Sequence, residues 1–178
     1  IMRANVFKKG FSLIEILITL SILAIVASWA SPSFKTMQAR QEFSSVVYLI
    51  RQQMNLARSH ALTVHSDIVM CPSRDLLSCE NDQWQHSILI FIDTNKNRKL
   101  DPNETIVSST PTLLKYGSLT WHGNASHPHQ IVFQSDTGLP RGSMGHFSYC
   151  NFEQVEYQKD LAIGMMGHIT TLASAQCN

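Results

Sequence analysis

KKGFSLIEILITLSILAIV (residues 8–26) decides how the rest of the chain is read. From Phe11 to Ala30 about twenty residues carry one charge, Glu15. Coiled as a helix, that length spans about 30 Å of hydrocarbon. Arg3, Lys8 and Lys9 precede it, which places the N-terminus on the cytoplasmic side and the remainder outside. A secretory signal peptide has a shorter apolar run followed by a small-residue cleavage site. Here the run is long and the small residue, Gly10, comes before it. An ionised carboxylate inside a membrane helix costs about 3 kcal/mol on insertion scales, so Glu15 calls for a partner. A cut after Gly10 would free an α-amine at Phe11, four residues from Glu15. The helix's own terminus or that of a neighbouring copy could then pair with the carboxylate. The simpler alternative is that Glu15 reaches up to the headgroups.

These residues resemble the N-terminus of type IV pilins and of type II secretion pseudopilins. That family carries a short basic leader, a glycine, then phenylalanine and a retained apolar helix with glutamate at its fifth residue. Lys8, Lys9, Gly10, Phe11 and Glu15 occupy those places, and Pro32 stands where a helix-bending proline is common. The resemblance implies cleavage by prepilin peptidase between Gly10 and Phe11 and N-methylation of Phe11. It also implies that Glu15 pairs with the N-terminal amine of an adjacent subunit in a helical filament.

Beyond the apolar run, Phe43, Val46, Val47, Ile50, Met54, Ala57 and Ala61 recur at spacings of three and four. Together they form one apolar stripe. Lys35, Arg40, Gln41, Arg51, Gln52 and Arg58 fall on the other faces. Such a helix needs a globular partner, and Pro32 is expected to kink it rather than end it. After His60 the pattern shortens to strands at 63–70, 87–92, 104–109, 118–122, 130–134, 146–150, 160–165 and 168–173, separated by NKN, DPN, HGN and TGLPRG turns. The expected fold is α+β: a long N-terminal helix packed on an antiparallel β-rich domain, as in pilins. Its parts are a leader at 1–10, a transmembrane or filament-core helix at 11–33, an amphipathic helix at 34–62, and a periplasmic β-rich domain at 63–178.

The charge balance excludes a general polyanion binder. Of 14 Lys and Arg, three lie in the first ten residues; the other 11 face 13 Asp and Glu. Cys71, Cys79, Cys150 and Cys177 contain no CxxC pair, which argues against a zinc ribbon or thioredoxin-like motif. In an exported chain they suggest two disulfides. Three pairings exist; Cys71–Cys79 with Cys150–Cys177 is expected because each closes a local loop.

The second half is similar to the subfamily of FimT- and FimU-like minor pilins and the H-type pseudopilin. The similarity rests on ARSHALTVHSDIVMCPS, ILIFIDTNKNRKLDPNE, IVFQSDTGLPRG and FSYC. It implies a minor pilin that primes or supports pilus assembly with other pilins. It also implies an inner-membrane precursor with a periplasmic domain that then joins a pilus or pseudopilus. A type II secretion pseudopilin and a DNA-uptake minor pilin are the alternatives.

Other candidate chemistry is weaker. In DTNKNRKLDPNE (93–104), Asp93, Asn95, Asn97, Asp101 and Glu104 fall at the oxygen-ligand places of an EF-hand-like register, which would suit calcium. Arg98 stands where the loop needs glycine, which disfavours the sharp turn, so a hairpin held by Asx-turns is favoured. His122, His127 and His129 lie in a Pro- and Gly-marked stretch, which reads as a polar loop. No nucleophile motif appears, and no enzyme is expected. In DNA-binding FimT-like proteins, interleaved arginines of the C-terminal segment carry the contact. Here GMMGHITTL (164–172) places His168 where the first would stand, and Lys159 is the one Lys or Arg after Arg141. DNA as a partner is therefore not favoured.

Overall fold

The structure is a computed structural model describing residues 11–152, 155–173 and 177, without the side chains of 29–33 and 155. Gly10 and the rest of the leader lie outside the described residues. The chain divides into two compact units, 1–38 and 39–178.

One helix, α1 (Leu13–Val64), runs through both units. It begins at Ser12, whose Oγ and carbonyl oxygen accept the Glu15 amide at 3.3 and 3.1 Å. This is N-capping: the first amides of a helix have no partner within it. The helix passes through Pro32 and ends where His65 takes a left-handed φ of 50°. Residues 63 and 64, expected in the first strand, belong to this last turn.

In the second unit the expected stripe is buried: Val46, Ile50, Met54, Ala57 and Ala61 are at most 3% exposed. Fully burying a side chain such as Ile50 stabilises the fold by about 1.5–3 kcal/mol. Ala39 and Gln53 join the buried face although the apolar pattern omits them. Gln53 reaches the sheet by polar contact, with Nε2 donating to Thr110 Oγ1 and Oε1 accepting from Ser108 Oγ.

Among the described residues eight strands form two antiparallel sheets. β1 (Asp67–Ser73), β2 (Ser87–Asp93), β3 (Ile106–Pro111) and β5 (Ile131–Phe133) stand in the order β3-β2-β1-β5. β4 (Gly117–Gly123), β6 (Gly145–Asn151), β7 (Lys159–Ile163) and β8 (Ile169–Ala173) stand in the order β4-β6-β7-β8. A short 3-10 turn, Val155–Tyr157, precedes β7. The helix stripe, inward residues of both sheets and Trp84 share one core. Trp84, Trp121 and Phe147 meet there with ring centroids 4.7–6.4 Å apart. β1 and β2 are buried on both faces, because Val69, Leu89, Phe91 and Val132 form a second cluster capped by Cys79 and Leu100. This explains their unbroken apolar runs, which lack the alternation of a one-faced strand.

Disulfides join Cys71 to Cys79 and Cys150 to Cys177. Glu42 on α1 ties the helix to the second sheet. Its carboxylate accepts the Lys115 amide at 2.6 Å, the Tyr116 amide at 3.0 Å and the Tyr149 hydroxyl at 2.7 Å. Burial, then the bond to Glu42, pushes Tyr149 well above the usual phenol value. Gly138 is needed for close approach: its φ is +62°, and a Cβ there would sit 2.8 Å from the Arg58 carbonyl oxygen.

Candidate functional site

The N-terminal segment combines a capped start with an apolar surface that its own unit does not cover. Ser12, Leu13, Ile14 and Glu15 form the S-x-x-E pattern of a capping box. Sequence reading directed at the charge of Glu15 missed this signal, although it was visible. The Glu15 side chain is exposed. From Phe11 to Val26 the large apolar side chains are exposed on all faces, from Ile16 at 50% to Phe11 at 80%. Ser21 and Thr19 hide their hydroxyls by donating to the carbonyls of Leu17 and Ile16, so that the run presents few free polar groups. Among the described residues no helix is long and apolar enough to cross a membrane; the side chains of 29–33, within the run, lie outside them.

The loop between β2 and β3 corrects one expectation. Arg98 does adopt the left-handed turn, with φ 63°, and so does Lys96 at 60°. Asp93 makes this tolerable, since Oδ1 accepts the Asn97 amide at 3.1 Å and Oδ2 the Arg98 amide at 2.9 Å. A left-handed non-glycine residue costs about 1–2 kcal/mol, which two such charge-assisted bonds offset. Asp93 is buried, and that burial raises its pKa. The remaining oxygens are also engaged within the loop. Asp101 Oδ2 accepts both the Asn95 and Asn97 side-chain amides at 2.7 Å, and Glu104 Oε1 accepts the Thr94 amide at 2.8 Å. The arrangement is a hairpin of Asx-turns. Among the described residues no group of three or more His, Cys, Asp or Glu side chains is placed to hold a metal ion.

The histidines separate. His122 stacks on His146 across β4 and β6, with centroids 4.9 Å apart. His127 is buried, its Nδ1 donating to the Gly142 carbonyl at 2.8 Å. Burial, opposed by that bond and assisted by Arg98, lowers its pKa. His129 lies 3.9 Å from Asp82. The 164–172 segment becomes the turn after β7 and most of β8, with Met165, Met166 and Leu172 exposed.

The family model of the type II transport protein GspH matches residues 49–167, the last third or so of α1 and most of both sheets. The chain belongs to the GspH family. The prokaryotic N-terminal methylation motif matches residues 7–31, spanning Gly10, Phe11 and Glu15. The type IV minor pilin FimU of Pseudomonas aeruginosa, in its P21 crystal form, is 16% identical with a TM-score of 0.53; the match covers 78% of this chain and 97% of that one. The minor pseudopilin EpsH of the Vibrio cholerae type 2 secretion system is 15% identical with a TM-score of 0.46, covering 75% and 96%. No curated protein matches the chain. The chain thus joins a pilin- or pseudopilin-type N-terminal methylation motif to a GspH-family domain, a family of envelope proteins whose members are processed by prepilin peptidase and assemble with other pilins. Its helix-on-antiparallel-sheet fold agrees with FimU.

Proposed function

We propose that this GspH-family chain is a minor type IV pilin whose work is assembly. It is cut between Gly10 and Phe11, N-methylated at Phe11, held in the inner membrane by residues 11–33, and incorporated into a pilus, where it primes or supports polymerisation. The observation carrying this reading is the coincidence of the methylation motif at 7–31 with an apolar run exposed on every side. A helix apolar all round needs an apolar surround, first lipid and then the helices of neighbouring subunits. Glu15 is the exception in that surround. Its carboxylate is exposed and can accept the amine that cleavage creates at Phe11 of an adjacent subunit, which sets the register between copies. The β-rich domain remains on the periplasmic side and presents surface to its neighbours. The choice of a pilus rests on the resemblance of the second half of the chain to FimT- and FimU-like minor pilins.

Glu15→Ala tests the pairing. Processing should continue while incorporation into sheared filaments falls at least tenfold, as loss of a charged contact worth about 1.4 kcal/mol or more requires. Normal incorporation would overturn the role given to Glu15. The second reading, a pseudopilin, is favoured by the family itself, which is that of a type II transport protein. A deletion strain separates the two, since loss of twitching with intact protein secretion supports the pilus and the opposite pattern the secretion machine.

A further inference from the structure

We propose that a cleft on the β-rich domain binds a small organic anion. Its carboxylate or phosphate would be held by Arg98 and Lys99, and its uncharged body would lie on Leu100 and Pro128. The cleft encloses about 530 Å³, within the roughly 300–1,000 Å³ of small-molecule sites. Three loops distant in the chain build it: the disulfide loop at Ser78–Asn81, the β2–β3 loop at Arg98–Leu100 and the β4–β5 loop at Ser126–Gln130. None of its lining residues belongs to the N-terminal run, so assembly leaves this feature unexplained.

Charge decides the class of ligand. No Asp or Glu lines the cleft. The acids of the β2–β3 loop are turned into the loop itself, Asp93 onto the Asn97 and Arg98 amides, Asp101 onto two side-chain amides and Glu104 onto Thr94. They compete little for the cations. Arg98 is anchored at one end by Nη1 donating 3.0 Å to the Ser126 carbonyl. Other guanidinium N–H groups remain for a planar anion. Lys99 is exposed and makes no ion pair among the described residues, and its backbone is pinned by the 2.7 Å bond from its amide to Asn97 Oδ1. The acid at the rim, Asp82, lies against His129. A second hollow of about 210 Å³ shares Arg98 and His127 and makes a useful contrast. There Asp67 faces Lys96 at 4.0 Å and Asp93 adds a further acid, so the charges are compensated. The first cleft has cations without that compensation. Leu100 and Pro128 provide an apolar floor, while Ser78, Asn81 and Gln130 offer hydrogen bonds to hydroxyl groups.

The test is isothermal titration of the full chain in non-ionic detergent at fixed ionic strength. The probes are sodium glucuronate, inorganic phosphate and, as the uncharged control, glucose. Saturable binding of glucuronate or phosphate, with glucose at least about tenfold weaker, is expected. Glucuronate tighter than phosphate places the body of the ligand in the site as proposed. Phosphate as tight or tighter supports the anion seat and removes the role of the Leu100–Pro128 floor. Lys99→Gln, which changes an exposed side chain and keeps the backbone bond to Asn97, should weaken binding about tenfold while leaving the melting temperature unchanged. No saturable binding of either anion at about 10 mM overturns the proposal. So does glucose binding as tightly as glucuronate, or affinity unaltered in Lys99→Gln.

Discussion

The two halves of α1 are both helical and both rich in aliphatic residues, yet they meet different surroundings. From Phe11 to Val26 the large apolar side chains are distributed all round the axis and are half or more exposed. From Ala39 to Ala61 one stripe, Ala39, Val46, Ile50, Met54, Ala57 and Ala61, is almost wholly buried, while Tyr48 on another face is 69% exposed. The amount of apolar surface does not separate them; its angular distribution does. A stripe is satisfied by one surface, which the chain supplies from its own two sheets. An all-round apolar helix is satisfied only by surroundings that are themselves apolar.

The largest test of that contrast places the same charge in each half. Ile50→Asp should abolish cooperative folding of the β-rich domain. An unpaired buried carboxylate costs more than about 4 kcal/mol, against a total stability of about 5–15 kcal/mol. Ile18→Asp should leave the domain's stability within about 0.5 kcal/mol. It should instead loosen membrane retention, since a central charge costs about 3 kcal/mol on insertion scales. Circular-dichroism melts and membrane fractionation read the two effects. Equal destabilisation by both substitutions would break the comparison.

The disulfides probe the second region alone. Chain-entropy reasoning assigns about 3.5 kcal/mol to Cys150–Cys177 and about 2.5 kcal/mol to Cys71–Cys79, from separations of 27 and 8 residues. Paired Cys→Ala variants in urea should rank in that order. The reverse order would show that packing of Cys71 in the second apolar cluster outweighs loop closure.

The legibility of these features follows from the range of the interactions behind them. The stripe on α1, the strands and the TGLPRG turn are local patterns, so residues such as Ile50, Phe147 and Gly138 announce their places. Glu42 does not. Its partners Lys115, Tyr116 and Tyr149 lie 73 to 107 residues away, and only the folded chain brings them together. Gln53 reads as a polar gap beside the stripe, yet it is buried because Ser108 and Thr110 satisfy it. Arg98 misleads for a related reason: the residue type opposes the turn, and Asp93 overrides it. The pairing of Arg98–Leu100 with Ser126–Gln130 in one cleft is likewise tertiary. At the N-terminus the candidate assembly site is legible because it is a contiguous motif, though the Ser12 cap went unread beside the charge it precedes.

A smaller effect is expected in alkali. Tyr149 keeps its proton above the ordinary phenol value of 10.0. The unfolded chain therefore ionises first, and the stability due to this group is full below about pH 10 and lost as pH rises through the higher folded value. Tyr149→Phe should cost about 1–3 kcal/mol at neutral pH by leaving Glu42 short of a donor. Its melting temperature should also fall less steeply above about pH 10 than that of the parent. Parallel curves would assign the alkaline loss to other groups.

The smallest effect should come from Ser12, and it returns the comparison to the N-terminal half. Removing an N-cap hydroxyl costs about 1 kcal/mol, and here the loss is confined to the bond from the Glu15 amide to Ser12 Oγ. The Ser12 carbonyl still accepts that amide. Ser12→Ala should thus fray the first turn and lower filament incorporation by less than about fivefold. Glu15→Ala keeps the hydroxyl and the amide and removes the carboxylate alone. If the carboxylate serves only its own helix end, the two variants should assemble alike, because each then removes one capping contribution. If it receives the amine of another subunit, Glu15→Ala should be far the worse, and Glu15→Asp should restore part of the loss. Immunoblots of sheared filaments, normalised to processed cellular protein, distinguish the outcomes. Equal defects in Ser12→Ala and Glu15→Ala would reduce Glu15 to a capping residue and leave the apolar surface as the whole of what this half contributes.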